Sequence, residues 1–418
     1  MAIEYITSKN LFLLICDTLK LMDKSLVKHG IRVSYIMSRM LECKGSYEKY
    51  EIADYMLLAV LHDIGAYKTD DVRKQLSFEA KNPLPHSIYG YLFLKYLSPL
   101  EEQSKMILYH HADTCRIEHV DYKYKDEAEI LKVAEIMDIW MKAFGDKFDP
   151  HMIDRYVGKK YQQEAVNLLF EAIEKYNIFD KLKDGSYEKE YEASIDYILL
   201  SDDEKEKYLK MLMYCTGLRD ETMVSNTIAT IYVSREISKK MRISEFDKNE
   251  IYYAALLHDI GMLAMPSELI GAPRKLEEEE LNLIHTHVGL TCEALEGKIA
   301  QSIIDIVQTH HERFDGSGYP RGLKGSVMNN KQAILQIAEA VVNMCSEKPY
   351  RNPYTKEEIE KELNDGIVSG KFDGVVTDSF LRYYDEIMEK AMQKAEAALI
   401  MYQKLKRNSD QVYKNFTK

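Results

Sequence analysis

The chain has 418 residues, of which 46% are hydrophobic, and it carries a formal net charge of −12 at pH 7. This length allows two or three domains with ordinary hydrophobic cores. An acidic chain lacks the basic face that bulk nucleic-acid binding requires, so we exclude that function and expect only a small phosphate ligand at a local cationic or metal centre.

Neither a membrane anchor nor a disulfide framework is expected from the composition. The apolar run at residues 11–15 is too short for a membrane span and lacks the features of a signal peptide, and no later run reaches about 18 apolar residues. The six cysteines form no CxxC pair and are interpreted as thiols of a reducing compartment. We therefore expect a soluble, cytoplasmic protein.

Helical periodicity dominates the chain. Apolar residues recur at helical spacing over residues 52–61, 130–141 and 251–257, and residues 377–407 are rich in strong helix formers. Alternating strand patterns with hairpin turns are hard to find. The sequence predicts an all-α fold.

A pattern of histidines and carboxylates occurs twice, with about 200 residues between the copies. Each copy has a His-Asp doublet, then a single histidine, then a histidine pair: His62, Asp63, His86, His110 and His111, followed by His258, Asp259, His287, His310 and His311. Random scatter would not place imidazoles beside carboxylates in one order twice. We therefore predict two tandem helical domains, residues 1–200 and 201–418.

Neutral imidazole and carboxylate groups together are the donors of a divalent metal site. The aspartate of each doublet can bridge two ions, and Glu135 and Glu339 would complete each set from a later helix. Two ions about 3.5–4 Å apart suit the hydrolysis of phosphate esters, because they generate hydroxide near neutral pH and stabilise charge on phosphoryl oxygens. Histidines outside the pattern (His119, His151 and His285) are interpreted as ordinary residues.

An Ile-Gly pair follows each doublet. Because glycine tolerates positive φ, we expect Gly65 and Gly261 to end the preceding helix in that conformation.

The second copy resembles the HD-GYP branch of the HD phosphohydrolase superfamily. The resemblance is carried by His-Asp-Ile-Gly at residues 258–261, by the specific string HHERFDGSGYP at residues 310–320, and by Lys-Pro-Tyr-Arg at residues 348–351. The first copy resembles the same domain in divergent form. It keeps His29, Arg32 and the Glu135/Asp138 pair but lacks the GYP string.

The resemblance implies all-helical HD domains with bound divalent metal ions, two in each active copy, often iron or manganese. It implies phosphodiesterase action on a cyclic dinucleotide, typically cyclic di-GMP. It also implies that the loop containing Gly318, Tyr319 and Pro320 covers the site and offers a surface to partner proteins.

The resulting site prediction has three parts. The expected metal ligands are His29, His62, Asp63, His86, His110, His111 and Glu135 in the first copy and His258, Asp259, His287, His310, His311 and Glu339 in the second. The expected catalytic residues are Asp63 and Asp259. The expected phosphate-binding cations are Lys68, Arg313 and Arg351.

Departures from the family pattern divide the two copies. The family's first histidine is replaced by Ser225 in the second copy, where Glu221 could substitute from one helical turn earlier. The lysine that usually follows His-Asp-Ile-Gly is Met262 there, and Ala66 in the first copy. We expect the first copy to be the hydrolytic centre and the second to be a weak or regulatory binder of metal and nucleotide, with the reverse assignment left open.

Other functions stay open at this point. The protein could be a non-catalytic sensor or scaffold, or a hydrolase of nucleoside phosphates. The C-terminal stretch, with apolar Ile387, Ala391 and Ala395, could cap the second copy or form the seam of a homodimer, and capping is favoured.

Overall fold

The computed structural model describes residues 5–67, 84–348 and 350–416. These residues form α-helices joined by short 3₁₀ turns and loops, and they contain no β-strand beyond isolated bridges. The all-α prediction is confirmed. Among the described helices, none has both the length and the apolar composition that crossing a membrane demands.

The helices of the first half are α1 (Ser8–Lys20), α2 (Lys24–Lys44), α3 (Lys49–Val60), α4 (Leu84–Leu97), α5 (Ser104–Tyr109), α6 (Thr114–Ile117), α7 (Lys125–Phe144), α8 (Gln163–Tyr176), α9 (Ile178–Asp184), α10 (Tyr187–Ile195) and α11 (Asp202–Cys215). Those of the second half are α12 (Glu221–Lys240), α13 (Glu245–Leu257), α14 (Ser267–Ile270), α15 (Glu278–His285), α16 (His287–Leu295), α17 (Gln301–Val307), α18 (Asn330–Cys345), α19 (Lys356–Val368), α20 (Gly374–Arg382) and α21 (Tyr384–Phe416).

The chain divides into two compact units. The first unit contains Met22–Tyr208 and Leu405–Lys418, and the second contains Met1–Leu21 and Leu209–Lys404. Helix α1 therefore belongs to the second unit, where the Asp17 carboxylate lies 2.8 Å from the Lys298 ammonium. The domain limits 1–200 and 201–418 stay a prediction.

The two units repeat one helical arrangement. In the first unit α2 packs on α3 and α7, and α5 packs on α4 and α7. In the second unit α12 packs on α13 and α18, and α17 packs on α16 and α18. Apolar side chains from these helices form both cores, so the ligand-bearing helix ends are held on a packed base.

Helix capping fixes where the two equivalent helices α2 and α12 begin. Asp23 accepts hydrogen bonds from the backbone N–H groups of Ser25 and Leu26, at 2.7 and 2.9 Å. Asp220 accepts one from the N–H of Thr222 at 2.8 Å. An aspartate at this position satisfies backbone donors that have no partner within the helix.

Each His-Asp doublet lies directly after its helix. Helix α3 ends at Val60 and α13 ends at Leu257, and 3₁₀ turns follow at Ile64–Tyr67 and Ile260–Ala264. The doublets are thus placed at the ends of helices whose apolar faces are buried.

The expectation that Gly65 and Gly261 end the helices through positive φ is wrong. Neither is among the glycines of positive φ in the described chain. Their role is close backbone approach, because a Cβ at Gly65 would lie 2.0 Å from the carbonyl oxygen of His86, and one at Gly261 would lie 2.1 Å from that of His287. These glycines let the doublet and the following histidine come together.

We predict that Gly261→Ala lowers the free energy of unfolding by about 3 kcal/mol, because the added methyl cannot fit without moving backbone. The matched control is Gly289→Ala in α16, where a Cβ would meet nothing within 4 Å. That change should be neutral or stabilise by up to about 1 kcal/mol. Urea denaturation measures both, and equal stability of the two variants would contradict the close-approach argument.

Candidate metal centres

The first candidate site is formed by side chains from five helices of the first unit or from the turns that follow them. They comprise His29 on α2, His62 and Asp63 after α3, His86 on α4, His110 and His111 after α5, and Glu135 on α7. All except His111 are buried. The structure thus brings together the seven residues that the sequence predicted for this copy.

These side chains form two adjacent groups that could each hold a cation. One group contains Asp63, His86, His110 and His111, and the other contains His29, His62 and Glu135. Within each group the potential ligand atoms lie within 4.8 Å of one another.

Asp63 faces both groups. Its Oδ1 lies 3.5 Å from His86 Nε2, and its Oδ2 lies 3.3 Å from His62 Nε2 and 3.9 Å from His29 Nε2. A carboxylate with one oxygen toward each group is placed to bridge two ions.

Backbone carbonyls orient the histidine rings. His62 Nδ1 donates to the carbonyl of Ala59, and His110 Nδ1 donates to that of Ile107, both at 2.6 Å. Because a carbonyl can only accept, Nδ1 of each ring carries a proton, and Nε2 is the nitrogen that faces the cluster.

Several of the inward-facing atoms are buried without a hydrogen-bond partner. They are Nε2 of His62, Nε2 of His110 and Oδ1 of Asp63. Burying such atoms unpaired costs roughly 1–3 kcal/mol each. Divalent cations bound in the two groups would satisfy these atoms, so the donor set fits metal.

A carboxylate behind the first site orients His29. Asp138 accepts from His29 Nδ1 at 2.6 Å and also pairs with Arg32 Nε and with Lys142 Nζ, the last at 2.7 Å. The Arg32 guanidinium is itself fixed by the Leu182 carbonyl at 2.9 Å. This arrangement holds His29 Nε2 toward Asp63.

Electrostatics leave the cluster suited to a cation. Burial lowers the pKa of His110 and His111 well below the usual value, which keeps both rings neutral. Burial would raise the pKa of Asp63, but the facing imidazoles of His62 and His86 hold it well below its usual range. The site therefore offers neutral nitrogen donors around a charged carboxylate.

Two other groups must lose a proton when a metal binds. Burial raises the pKa of Glu135 to about 8. Burial opposes protonation of His62, yet the adjacent Asp63 carboxylate raises the pKa of that imidazole to about 9. Metal binding should consequently weaken as the pH falls below these values.

The second candidate site repeats part of this geometry in the second unit. Asp259, His287, His310 and His311 form a group whose potential ligand atoms lie within 4.8 Å of one another. His287 Nε2 lies 3.3 Å from Asp259 Oδ1, and the Nε2 atoms of His287 and His310 are also 3.3 Å apart.

On the other side of Asp259 the second site has fewer donors. His258 Nε2 lies 3.4 Å from Asp259 Oδ2 and 3.4 Å from Glu339 Oε2. Ser225 does not join them, because its hydroxyl donates to the carbonyl of Thr222 at 2.8 Å on its own helix. Glu339 instead accepts from the Thr230 hydroxyl at 3.2 Å.

The Gly-Tyr-Pro loop is organised by the buried carboxylate of Glu312. Its two oxygens accept from the backbone N–H groups of Arg321 and Leu323, at 2.7 and 2.8 Å. The Tyr319 ring stacks on the rings of His311 and His285, with centroids 4.7 and 3.7 Å away. Sequence analysis missed this role of His285, and its position two residues before His287 was the available signal.

A cavity with room for about 450 Å³ opens onto the second site. Its lining includes Asp259, His287, His311, Tyr319 and Glu339. Lys348 and Tyr350, which sequence analysis did not single out as binding residues, also line it, as does Met262. The volume falls within the range of small-molecule sites.

The predicted phosphate-binding cations are placed as follows. Lys68 lies outside the described residues. Arg313 Nη1 donates to the Glu312 carbonyl at 2.8 Å, and Arg351 Nη2 donates to the Asn343 carbonyl at 2.8 Å. Substrate contact by these residues stays a prediction.

We predict that Asp138→Asn weakens divalent metal binding at the first site by about 10–100-fold, the usual cost of losing a carboxylate that orients a ligating histidine. Equilibrium dialysis with Mn²⁺ measures the change. Asp154→Asn is the control, because the Asp154 side chain is 56% exposed and pairs with the exposed His151. Unchanged Mn²⁺ affinity in Asp138→Asn would contradict the assigned role.

Comparison with known proteins shows two HD domains in tandem. A family model described as HD domain matches residues 26–140, and a second model of the same description matches residues 210–376. The matches cover the helices that carry both candidate sites.

Curated relatives extend over one or both copies. A 3'3'-cGAMP-specific phosphodiesterase 1 of Vibrio cholerae is 23% identical over 85% of this chain and 87% of its own length. A cyclic di-GMP phosphodiesterase of Thermotoga maritima is 34% identical over 43% of this chain and 50% of its own length. This chain thus spans half of the Thermotoga protein.

The fold has also been seen in a solved structure. The crystal structure of a cyclic GMP-AMP specific phosphodiesterase of V. cholerae (V-cGAP3) matches with a TM-score of 0.57 and 14% identity, over 91% of this chain and 98% of that one. At this identity the likeness establishes the fold alone. With the tandem family matches and the geometry above, the chain belongs to the HD-GYP branch of the metal-dependent HD phosphohydrolases, with two HD domains in one chain.

Proposed function

We propose that the protein is a metal-dependent phosphodiesterase that hydrolyses a cyclic dinucleotide, and that the first site is its hydrolytic centre. The observation that carries the proposal is the position of Asp63, whose two oxygens face two separate groups of buried nitrogen and carboxylate donors.

The residues of the first site form two groups of proposed metal ligands. His86, His110 and His111 would hold one divalent ion, and His29, His62 and Glu135 would hold another, with Asp63 between them. When bound, such an ion pair supplies hydroxide near neutral pH and stabilises charge on a phosphoryl group. The chain's own contribution is to keep His110 and His111 neutral and the Asp63 carboxylate charged, and to fix the rings of His62 and His110 through backbone carbonyls.

The names of the relatives support the substrate class. The relatives described above are named as phosphodiesterases of 3'3'-cGAMP or of cyclic di-GMP. Both compounds present phosphodiester bonds in a ring, which an enzyme of this class opens to a linear product. We propose cyclic di-GMP as the substrate, with 3'3'-cGAMP as the alternative to be tested beside it.

The second site is proposed to bind nucleotide or metal in a regulatory role. Its cavity could admit part of a nucleotide, and Lys348 is a cation on the cavity wall. Acidic residues also line this cavity, among them Asp220 and Glu347. Phosphate binding here would therefore depend on a cation that offsets these charges.

Two further expectations accompany the proposal. The Gly-Tyr-Pro loop, ordered by Glu312, is the proposed surface for a protein partner. Met392 and Ile400 of α21 are apolar and exposed, and a homodimer would form through them. Ile387 and Ala391 of the same helix are instead buried within the second unit.

We predict that Asp63→Ala lowers the rate of cyclic dinucleotide hydrolysis at least ~100-fold, since it removes the bridge between both metal groups. Asp259→Ala should leave most of the activity. The assay uses cyclic di-GMP, 3'3'-cGAMP and nucleoside phosphates with Mn²⁺ or Fe²⁺, and Asp154→Ala serves as the surface control.

The outcomes separate the possible functions. Loss of activity only in Asp259→Ala would show that the second copy contains the hydrolytic centre. Turnover of nucleoside phosphates alone would show that the substrate is a nucleoside phosphate and not a cyclic dinucleotide. Bound metal without turnover of any of these compounds would favour a non-catalytic sensor.

A further inference from the structure

We infer that the two copies differ in metal content: the first site retains two divalent ions, whereas the second retains one, held by Asp259, His287, His310 and His311. The inference deepens the proposed function, because it assumes that the clusters bind metal. It does not depend on which copy hydrolyses substrate.

Three residues of the first site are replaced together in the second. Ser225 lies as far before its His-Asp doublet as His29 does, and Ile228 then takes the place of Arg32. Val342 follows Glu339 by the same three residues as Asp138 follows Glu135. A metal ligand, the carboxylate that orients it and the cation that fixes the carboxylate are all absent from these positions.

Among the described residues, no imidazole or carboxylate takes the place of these groups, and the Oδ1 of the adjacent Asn226 accepts from the Ser346 hydroxyl at 2.7 Å. The Ser225 hydroxyl donates to the Thr222 carbonyl, and the Val342 side chain is apolar and buried. On the first-site side, by contrast, His29 Nδ1 donates to Asp138 at 2.6 Å and Nε2 faces Asp63.

As a result, the space between α12 and α18 in the second unit differs from the space between α2 and α7 in the first unit. In the second unit Met223 and Asn226 of α12 and Val342 and Asn343 of α18 line the cavity. In the first unit the equivalent helices α2 and α7 are joined by the contact of His29 and Arg32 with Asp138. The second copy has a ligand-sized opening where the first has a bridge.

The number of donors at each ion position sets the expected difference in metal affinity. The second ion position of the first site has donors from His29, His62, Glu135 and Asp63. Among the imidazoles and carboxylates of the described chain, its counterpart keeps His258, Glu339 and Asp259. Loss of a support residue alone weakens metal binding by about 10–100-fold. Loss of the imidazole as well should weaken it at least as much, so this position empties on dialysis while the first site stays loaded.

The test counts ions in single-site variants of the full chain. Each protein is loaded with Mn²⁺, dialysed against metal-free buffer and measured by elemental analysis. Asp259→Ala, which leaves the first site intact, should retain about two ions per chain, and Asp63→Ala should retain about one. About two ions in Asp63→Ala, as expected if Glu221 supplies a ligand, would overturn the inference.

A second experiment tests whether the three replaced residues cause the lower metal content of the second site. In the Asp63→Ala background, Ser225→His combined with Ile228→Arg and Val342→Asp should raise the count from about one to about two. The control is Arg235→His, which adds an imidazole at an exposed position of the same helix and should leave the count unchanged. Circular dichroism confirms that each variant is folded, and a folded triple variant that gains no ion would contradict the assignment.

The wild-type protein distinguishes this inference from the proposed function. About three retained ions agree with both. About four retained ions contradict the inference and leave the proposed function in place. No retained ion removes the metal-dependent function and the inference with it.

Discussion

The structure depends on one electrostatic constraint: buried imidazoles must point their unprotonated nitrogens at a charged carboxylate. The other nitrogen donates to a backbone carbonyl in His62 (Ala59) and His110 (Ile107), and to the Asp138 carboxylate in His29. Without a cation, Oδ1 of Asp63 and two Nε2 atoms of the first site have no hydrogen-bond partner. A fold that buries such a set gains stability when metal binds, because binding to the native state alone shifts the folding equilibrium.

The same constraint explains why the glycines after the doublets lie where they do. Gly65 and Gly261 pass so close to the backbones of His86 and His287 that a methyl group would collide with carbonyl oxygen. The approach brings the doublet beside the next histidine. The site is therefore built by helix packing as much as by the choice of ligands.

Much of this arrangement could be predicted from sequence, for identifiable reasons. Helical periodicity and the scarcity of strand patterns predicted the all-α fold. The ordered repeat, together with the family resemblance, grouped the seven first-copy residues that the structure brings together. The conformation of Gly65 could not be predicted, because a spacing pattern does not show that another helix crosses at that point. The pairing of Arg32 with Asp138 is a contact between residues distant in sequence, and the stacking of His285 on Tyr319 depends on a loop that folds back over α15.

The two copies carry the same helical scaffold with different donor sets. The first keeps the His29–Asp138 support and a donor set for two ions, while the second trades that support for a cavity beside Tyr319 and Lys348. The claim common to both is that each aspartate lies beside bound cations. Anomalous diffraction from Mn²⁺-loaded crystals tests it most directly: we expect density peaks within bonding distance of the Asp63 and Asp259 carboxylates, and an ordered structure with no anomalous peak at either aspartate would contradict the account.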